Sequence, residues 1–253
     1  MNREHQQCGF GIQFDWGLTG AVALGNLVDV VIVLDVLSFT TALSVAVDRG
    51  VDVFPYRWRD ESARAFADDH DAVLAVGRSQ TGPQHVTLSA ASIRHATDLR
   101  RLVLPSPNGS TIVHALATTT GATVIGASLR NAAVVGKWVG EHTDTCSAVA
   151  VIAAGERWPD GQFRPAVEDL WGAGAVIDAI ASQPGWTMSP EAAAARAAWL
   201  DVADRVDSAL HMCASGRELI ALGFTVDVEA AAEVNEGEHV PVLTDGLCFR
   251  AAT

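Results

Sequence analysis

The sequence is short of positive charge. Lysine and arginine number 17 against 30 aspartates and glutamates, a formal net charge of −13. That balance argues against nucleic acid or an anionic membrane as a general partner, because both are held by basic surfaces. An anionic small molecule would need local help, from a cation or a few arginines. Cysteine is scarce too: Cys8, Cys146, Cys213 and Cys248 are scattered, with no Cys-x-x-Cys pair. They read as reduced thiols with no zinc site. The histidines form no HxxxH or HxH pair, which leaves a zinc hydrolase little support. No apolar signal region precedes a cleavage site near the N-terminus. The apolar stretch from Gly20 to Phe39 carries Asp29 and Asp35, carboxylates that a span of about 20 residues would tolerate poorly. No repeat and no low-complexity linker is evident. The expectation is a cytoplasmic protein forming one compact unit over residues 1–253, with two lobes left open.

Apolar residues are plentiful, at 49% against 19% charged, so a sizeable core can form. Strand-like runs at 28–35, 51–54, 72–77, 101–104, 122–126, 147–153 and 240–243 alternate with helix-like ones at 39–49, 59–69, 109–119, 130–141, 168–182, 190–206 and 214–222. Such alternation indicates α/β construction around a parallel-rich sheet. Gly50, Gly121 and Gly223 stand where helix C-terminal glycines are expected. After Gln183-Pro184-Gly185 the alternation weakens, and the Ala-rich 190–206 segment is strongly helical by propensity. The part from about 185 therefore reads as a helical subdomain or a peripheral layer.

The most informative segment is Val30-Val31-Ile32-Val33-Leu34-Asp35, followed by Val36-Leu37-Ser38-Phe39-Thr40-Thr41. A short β-branched run reads as a buried strand. A carboxylate at its end lies at the sheet rim, where open α/β sheets bind ligands. Ser38 has the position of an N-cap for the helix after it, and Ser38, Thr40 and Thr41 are candidate anion-binding hydroxyls. Asp35 is a candidate metal ligand or catalytic carboxylate; the plainer reading is a carboxylate capping the next helix.

A second candidate is Ser106-Pro107-Asn108-Gly109-Ser110-Thr111, between a strand and an apolar helix. Backbone donors at Asn108, Gly109 and Ser110 would suit a phosphate or sulfonate, although the Gly-Lys-Ser/Thr ending of a nucleotide loop is missing. An ordinary capped turn is the alternative. A third begins at Ala154-Gly155-Glu156-Arg157, where Arg157 could grip an anion with a bidentate fork or simply be solvated. Glu168 and Asp169 open the 168–182 helix, which the helix dipole alone would explain. With Asp35 they could instead form a hard-cation site, since Mg²⁺ prefers carboxylate oxygens and retained water. Neighbouring helical residues point about 100° apart, so one of the pair would face the metal and the other a backbone group. Arg130-Asn131 opens another helix at the rim, as an anion site or a solvated helix start. Gly172-Ala173-Gly174 lies inside a helix and reads as a close-packing stripe, not a dinucleotide fingerprint.

Assembled, these residues resemble the 2-phosphosulfolactate phosphatase family, also called the ComB family. The likeness runs in order through Phe14-Asp15-Trp16-Gly17, the Val33–Thr41 strand and turn, Asn108-Gly109-Ser110, Ala127-Ser128-Leu129-Arg130-Asn131, Ala154–Arg157, Glu168–Ala175, Gly216–Leu219 and Val240–Leu243. The resemblance implies a three-layer α/β/α fold with a parallel-rich mixed sheet. It also implies a Mg²⁺-dependent phosphatase that hydrolyses 2-phospho-3-sulfolactate on the route to coenzyme M. Under that reading Asp35, Arg157 and Glu168 are catalytic. Asp35, Glu168 and Asp169 hold Mg²⁺, and Ser38, Thr40, Thr41, Asn108, Gly109, Ser110, Arg130 and Asn131 bind the anionic ester. The expected partner is that small ester, with neither nucleic acid nor membrane; a homodimer is an open reading. Two departures stand out. Ser38 occupies a position where the family carries arginine, and Arg78 stands in place of a glutamate within the divergent 77–90 stretch. They motivate the alternative of a non-catalytic anion-binding or regulatory protein on the same scaffold.

Overall fold

The structure, a computed structural model, describes residues 3–58, 60–78, 86–144 and 146–252. The divergent loop at 79–85 lies outside the described residues. The strands are β1 (Ile12–Trp16), β2 (Val30–Leu34), β3 (Asp52–Tyr56), β4 (Val73–Leu74), β5 (Arg101–Pro105), β6 (Thr123–Ala127), β7 (Val149–Ala153), β8 (Glu156–Arg157), β9 (Phe163–Arg164), β10 (Pro241–Thr244) and β11 (Cys248–Ala251). The helices are α1 (Gly17–Gly25), α2 (Phe39–Asp48), α3 (Glu61–Asp69), α4 (Ala90–His95), α5 (Gly109–Thr119), α6 (Ala132–His142), α7 (Val167–Ala181), α8 (Pro190–Val202), α9 (Val206–Met212), α10 (Ala214–Ala221) and α11 (Thr225–Ala231).

Nine strands form a mixed sheet in the order β1-β7-β2-β6-β10-β11-β3-β5-β4, and β8 pairs with β9 in a separate ribbon. Two parallel blocks, β1-β7-β2-β6 and β3-β5-β4, are joined by the antiparallel β10–β11 hairpin. The hairpin turns at Asp245-Gly246, both at positive φ, with the Leu247 N–H donating to the Thr244 carbonyl. This is the chemistry of a tight hairpin turn, whose twist suits the flanking strands.

Helices cover both faces. Along β2, Val30, Ile32 and Leu34 join one apolar cluster while Val31 and Val33 join the other. The period of two splits a uniformly apolar run between two cores, which is why its sequence shows no alternation. The first cluster takes in Val135 and Val139 of α6, Ile177 of α7, Trp199 of α8 and Leu210 of α9. The second takes in Leu24 of α1, Leu43 of α2, Ile93 of α4 and Ile112 of α5. The result is the three-layer α/β/α arrangement.

Several expectations need correction. Ser38 does not cap α2 through its side chain; the Asp35 carboxylate accepts the Phe39 N–H instead, at 3.3 Å. Gly50 and Gly223 do adopt positive φ, but Gly121 does not, and α5 ends in extended backbone at Thr120. The 190–206 segment is α-helical only to Val202 and then tightens into a 3₁₀ turn. It starts as its sequence dictates, with Pro190 in the first turn and the Ser189 hydroxyl accepting the Ala192 N–H at 3.0 Å.

The small residues of α7 permit close approach. A methyl group on Gly172 would meet Val36, and one on Gly174 would fall on the Ala195 carbonyl and Trp199 of α8. Gly174→Ala is therefore expected to cost about 1–3 kcal/mol through overpacking, lowering Tm by several degrees in a thermal melt. An unchanged Tm would show that the α7–α8 contact is not tight.

Candidate active site

The end of β2 is braced from all sides by its own hydroxyls and by two buried carboxylates. The Thr40 hydroxyl accepts the Asp35 N–H at 3.0 Å, and the Thr41 hydroxyl donates to the Val36 carbonyl at 2.8 Å. Both threonines are fully buried, so they shape the turn and are not substrate contacts. Asp35 Oδ1 accepts the Phe39 N–H, while Oδ2 accepts the Gly109 N–H at 2.9 Å and the Ser106 hydroxyl at 3.2 Å. The Gly109 donor expected to serve an anion is thus committed to Asp35. Its lack of a side chain is required, because a Cβ there would strike Phe39 and Asp35.

Asp169 forms the second brace. Its oxygens accept the Val36 N–H at 2.7 Å and the Gly155 N–H at 2.8 Å, tying the ends of β2 and β7 to the first turn of α7. Both of its oxygens are thus engaged by backbone, so Asp169 positions the loops after β2 and β7, and it does not line the cavity that Asp35 lines. Glu168, next to it, is only 2% exposed, and its Oε2 has no hydrogen-bond partner among the described residues.

These groups back onto a cavity of about 300 Å³ lined by Asp35, Ser38, Arg78, Ser106, Asn108, Glu156 and Ser215, among others. A groove of about 550 Å³ beside α6 and α7, lined by Lys137, Asp178 and Trp199, holds none of the candidate residues. Glu156, absent from the expected catalytic set, accepts the Asn108 side-chain amide at 2.9 Å and lines the smaller cavity. Burial, then the charge of Asp35, lifts its carboxyl to about 7. Burial also raises Asp35, against the pull of its hydrogen-bond donors. Asp169 is raised well above its ordinary value by burial and by Asp35 and Glu168. Cys213 is pushed up to about 12 by burial and by Glu168, so this thiol is inert at neutral pH.

Four of the residues expected to meet an anion are engaged elsewhere. Arg157 is exposed, donates to the Gly161 carbonyl at 3.0 Å and does not line the cavity. Arg130 is buried and ion-paired with Asp48 and Glu233, far from serving a ligand at Asp35. Asn131 is spent on the Ser128 N–H, at 2.8 Å, in a capping box. The Ser110 hydroxyl, also buried, donates to the Leu104 carbonyl at 3.2 Å. The cations near the cavity are others. Arg78 lines it, and Arg164 donates to the cavity-lining Ser215 hydroxyl at 3.2 Å and lowers the Glu156 carboxyl by its charge.

The donor set admits a hard cation. Among the described residues no three His, Cys, Asp or Glu side chains are grouped closely enough to hold a metal unaided. Mg²⁺ does not require that, since it is commonly held by one or two carboxylates with water and phosphate oxygens completing its shell. A buried carboxylate oxygen with no partner is costly unless something else satisfies it, and Glu168 beside Asp35 presents one.

A layered α/β protein whose β2 rim presents a pocket lined by carboxylates has the place and shape of a small-molecule site. Residues 20–246 match the family model described as 2-phosphosulpholactate phosphatase, nearly the whole chain, and the protein belongs to that family. It is accordingly a phosphatase acting on a phosphate monoester. Among the described residues no helix is long and apolar enough to cross a membrane.

The raised Glu156 carboxyl has a consequence for stability. A carboxyl whose pKa is higher folded than unfolded takes up a proton on folding. Its favourable contribution is complete below the ordinary value of 4.5 and is lost as pH climbs through about 7. The metal-free protein should therefore melt higher at pH 5 than at pH 8, and Glu156→Gln should remove up to roughly 3 kcal/mol of that difference. Equal pH slopes in melts of the two proteins would contradict the assignment.

Proposed function

We propose that this protein is a Mg²⁺-dependent phosphatase of a small acidic phosphate monoester, with 2-phospho-3-sulfolactate the substrate that its family suggests. The observation that carries the reading is that Asp35 and Glu156 line one cavity, with Glu168 close enough to act on both by its charge and its buried Oε2 without a partner among the described residues. Asp35 and Glu168 would hold the cation, which supplies charge to polarise the phosphoryl oxygens and offset their repulsion from the acidic wall.

The chain's own groups divide the remaining work. Three donors fix the Asp35 carboxylate, so it meets a ligand without reorganising. Asp169 holds the loops after β2 and β7 together and so sets the distance between Asp35 and Glu156. Glu156, on the cavity lining with Asp35, stands ready to protonate the departing alkoxide oxygen. Asn108 orients it.

Release of inorganic phosphate from 2-phospho-3-sulfolactate, with and without Mg²⁺, tests the proposal. Wild type should turn over only with the metal, and Asp35→Asn should lose on the order of 100-fold or more in kcat. Mg²⁺ should also raise the Tm of wild type, and Glu168→Gln should abolish that shift. Undiminished turnover by Asp35→Asn, or a Mg²⁺ shift that survives Glu168→Gln, would overturn the assignment.

A further inference from the structure

We propose that Arg78 is the residue of the cavity that recognises a second acidic group on the substrate. The inference rests on the phosphatase reading for the phosphoryl end of the ligand. Among the described residues lining the cavity, Arg78 supplies the only cationic side chain. An ester bearing a second carboxylate or sulfonate would be repelled by Asp35, Glu156 and Glu218, which line the same cavity, unless a positive group lined it with them.

The guanidinium is built to stay in place. Nε donates to Asp227 Oδ2 at 2.7 Å, and Asp227 is 1% exposed, its other oxygen engaged by the Ser89 hydroxyl. Nη2 donates to the Ser38 hydroxyl and, at 3.4 Å, to the Leu88 carbonyl. The Phe224 ring lies 5.7 Å from the guanidinium carbon. Nη1 makes no hydrogen bond to a described residue. A fork anchored along one side and open along another is suited to a planar carboxylate or a sulfonate. The small side chain of Ser38 matters here, because it leaves room at the end of β2 for the Arg78 side chain to lie across it. The plainer role, neutralising Asp227, requires the Nε contact but not a place in the cavity wall.

Calorimetric titration with phosphonoacetate and with phosphonoacetamide, in Mg²⁺ buffer, separates the two roles. The probes differ only in whether the group distal to the phosphonate is charged. Wild type should bind the acid at least about tenfold tighter than the amide. Arg78→Gln should bring the ratio close to one, chiefly by weakening the acid, and Arg78→Lys should keep part of it. Because Arg78→Gln leaves Asp227 buried without a cation, the double variant Arg78→Gln/Asp227→Asn provides a folded background and should give the same lost preference. A preference for the acid that persists in either folded variant overturns the proposal, as does the absence of any preference in wild type. Phosphate release is read separately. Turnover without acid preference removes this inference alone, whereas acid preference without turnover removes the hydrolytic reading alone.

Discussion

The fold's acidic pocket depends on the cost of burying carboxylates and on the backbone donors that offset it. Asp35 and Asp169 are 6% and 3% exposed, positions where an ion survives only if hydrogen bonds replace water. Their donors include ones remote in the chain: Ser106 and Gly109, beside the local Phe39, for Asp35, and Val36, beside the nearer Gly155, for Asp169. Each carboxylate is therefore a cross-link between loops. Together they fix the segments after β2, β5 and β7 around one cavity. Removing either would leave two backbone N–H groups without their acceptor, so structure and site would fail together.

This bracing also resolves a topological difficulty. Three antiparallel steps separate β6 from β3, so β5 runs opposite in sense to β2 within the sheet. A flat sheet would place the loops after β2 and β5 at opposite edges. Five strand-to-strand steps lie between them, yet the two loops meet, so the sheet departs strongly from flatness. The hydrogen bond from Gly109 to Asp35 closes that approach.

Much of this was legible from sequence, and the failures have physical reasons. The β2 run, the turn after it and the helices at 109–119 and 168–182 were evident because apolar runs and breakers coincide there. The first strand and α1 were hidden: Ile12–Trp16 is an edge strand with a mixed pattern, and α1 contains three glycines in Gly17-Leu-Thr-Gly-Ala-Val-Ala-Leu-Gly25. The strand β11 carried a usable signal in Asp245-Gly246. Of the residues expected at the site, Asp35 lines the cavity and Glu168 is buried, whereas Glu156, which also lines it, was passed over for Arg157. Successive strand residues face opposite ways, and sequence alone does not say which of the two points inward. Arg130 misled for a different reason, since its partners Asp48 and Glu233 are remote in the chain. Arg78 could be seen as a departure from the family pattern but not as a group laid on Ser38.

The central claim is that Asp35 and Glu168 share a cation while the adjoining cavity takes the phosphoryl group. A crystal structure of the protein with Mg²⁺ and vanadate tests it most directly. The account predicts metal density within coordination distance of Asp35 and Glu168, with vanadate beside it and facing Glu156. Metal or vanadate seated elsewhere, at the Arg130–Asp48 cluster or in the groove beside α6 and α7, would contradict it.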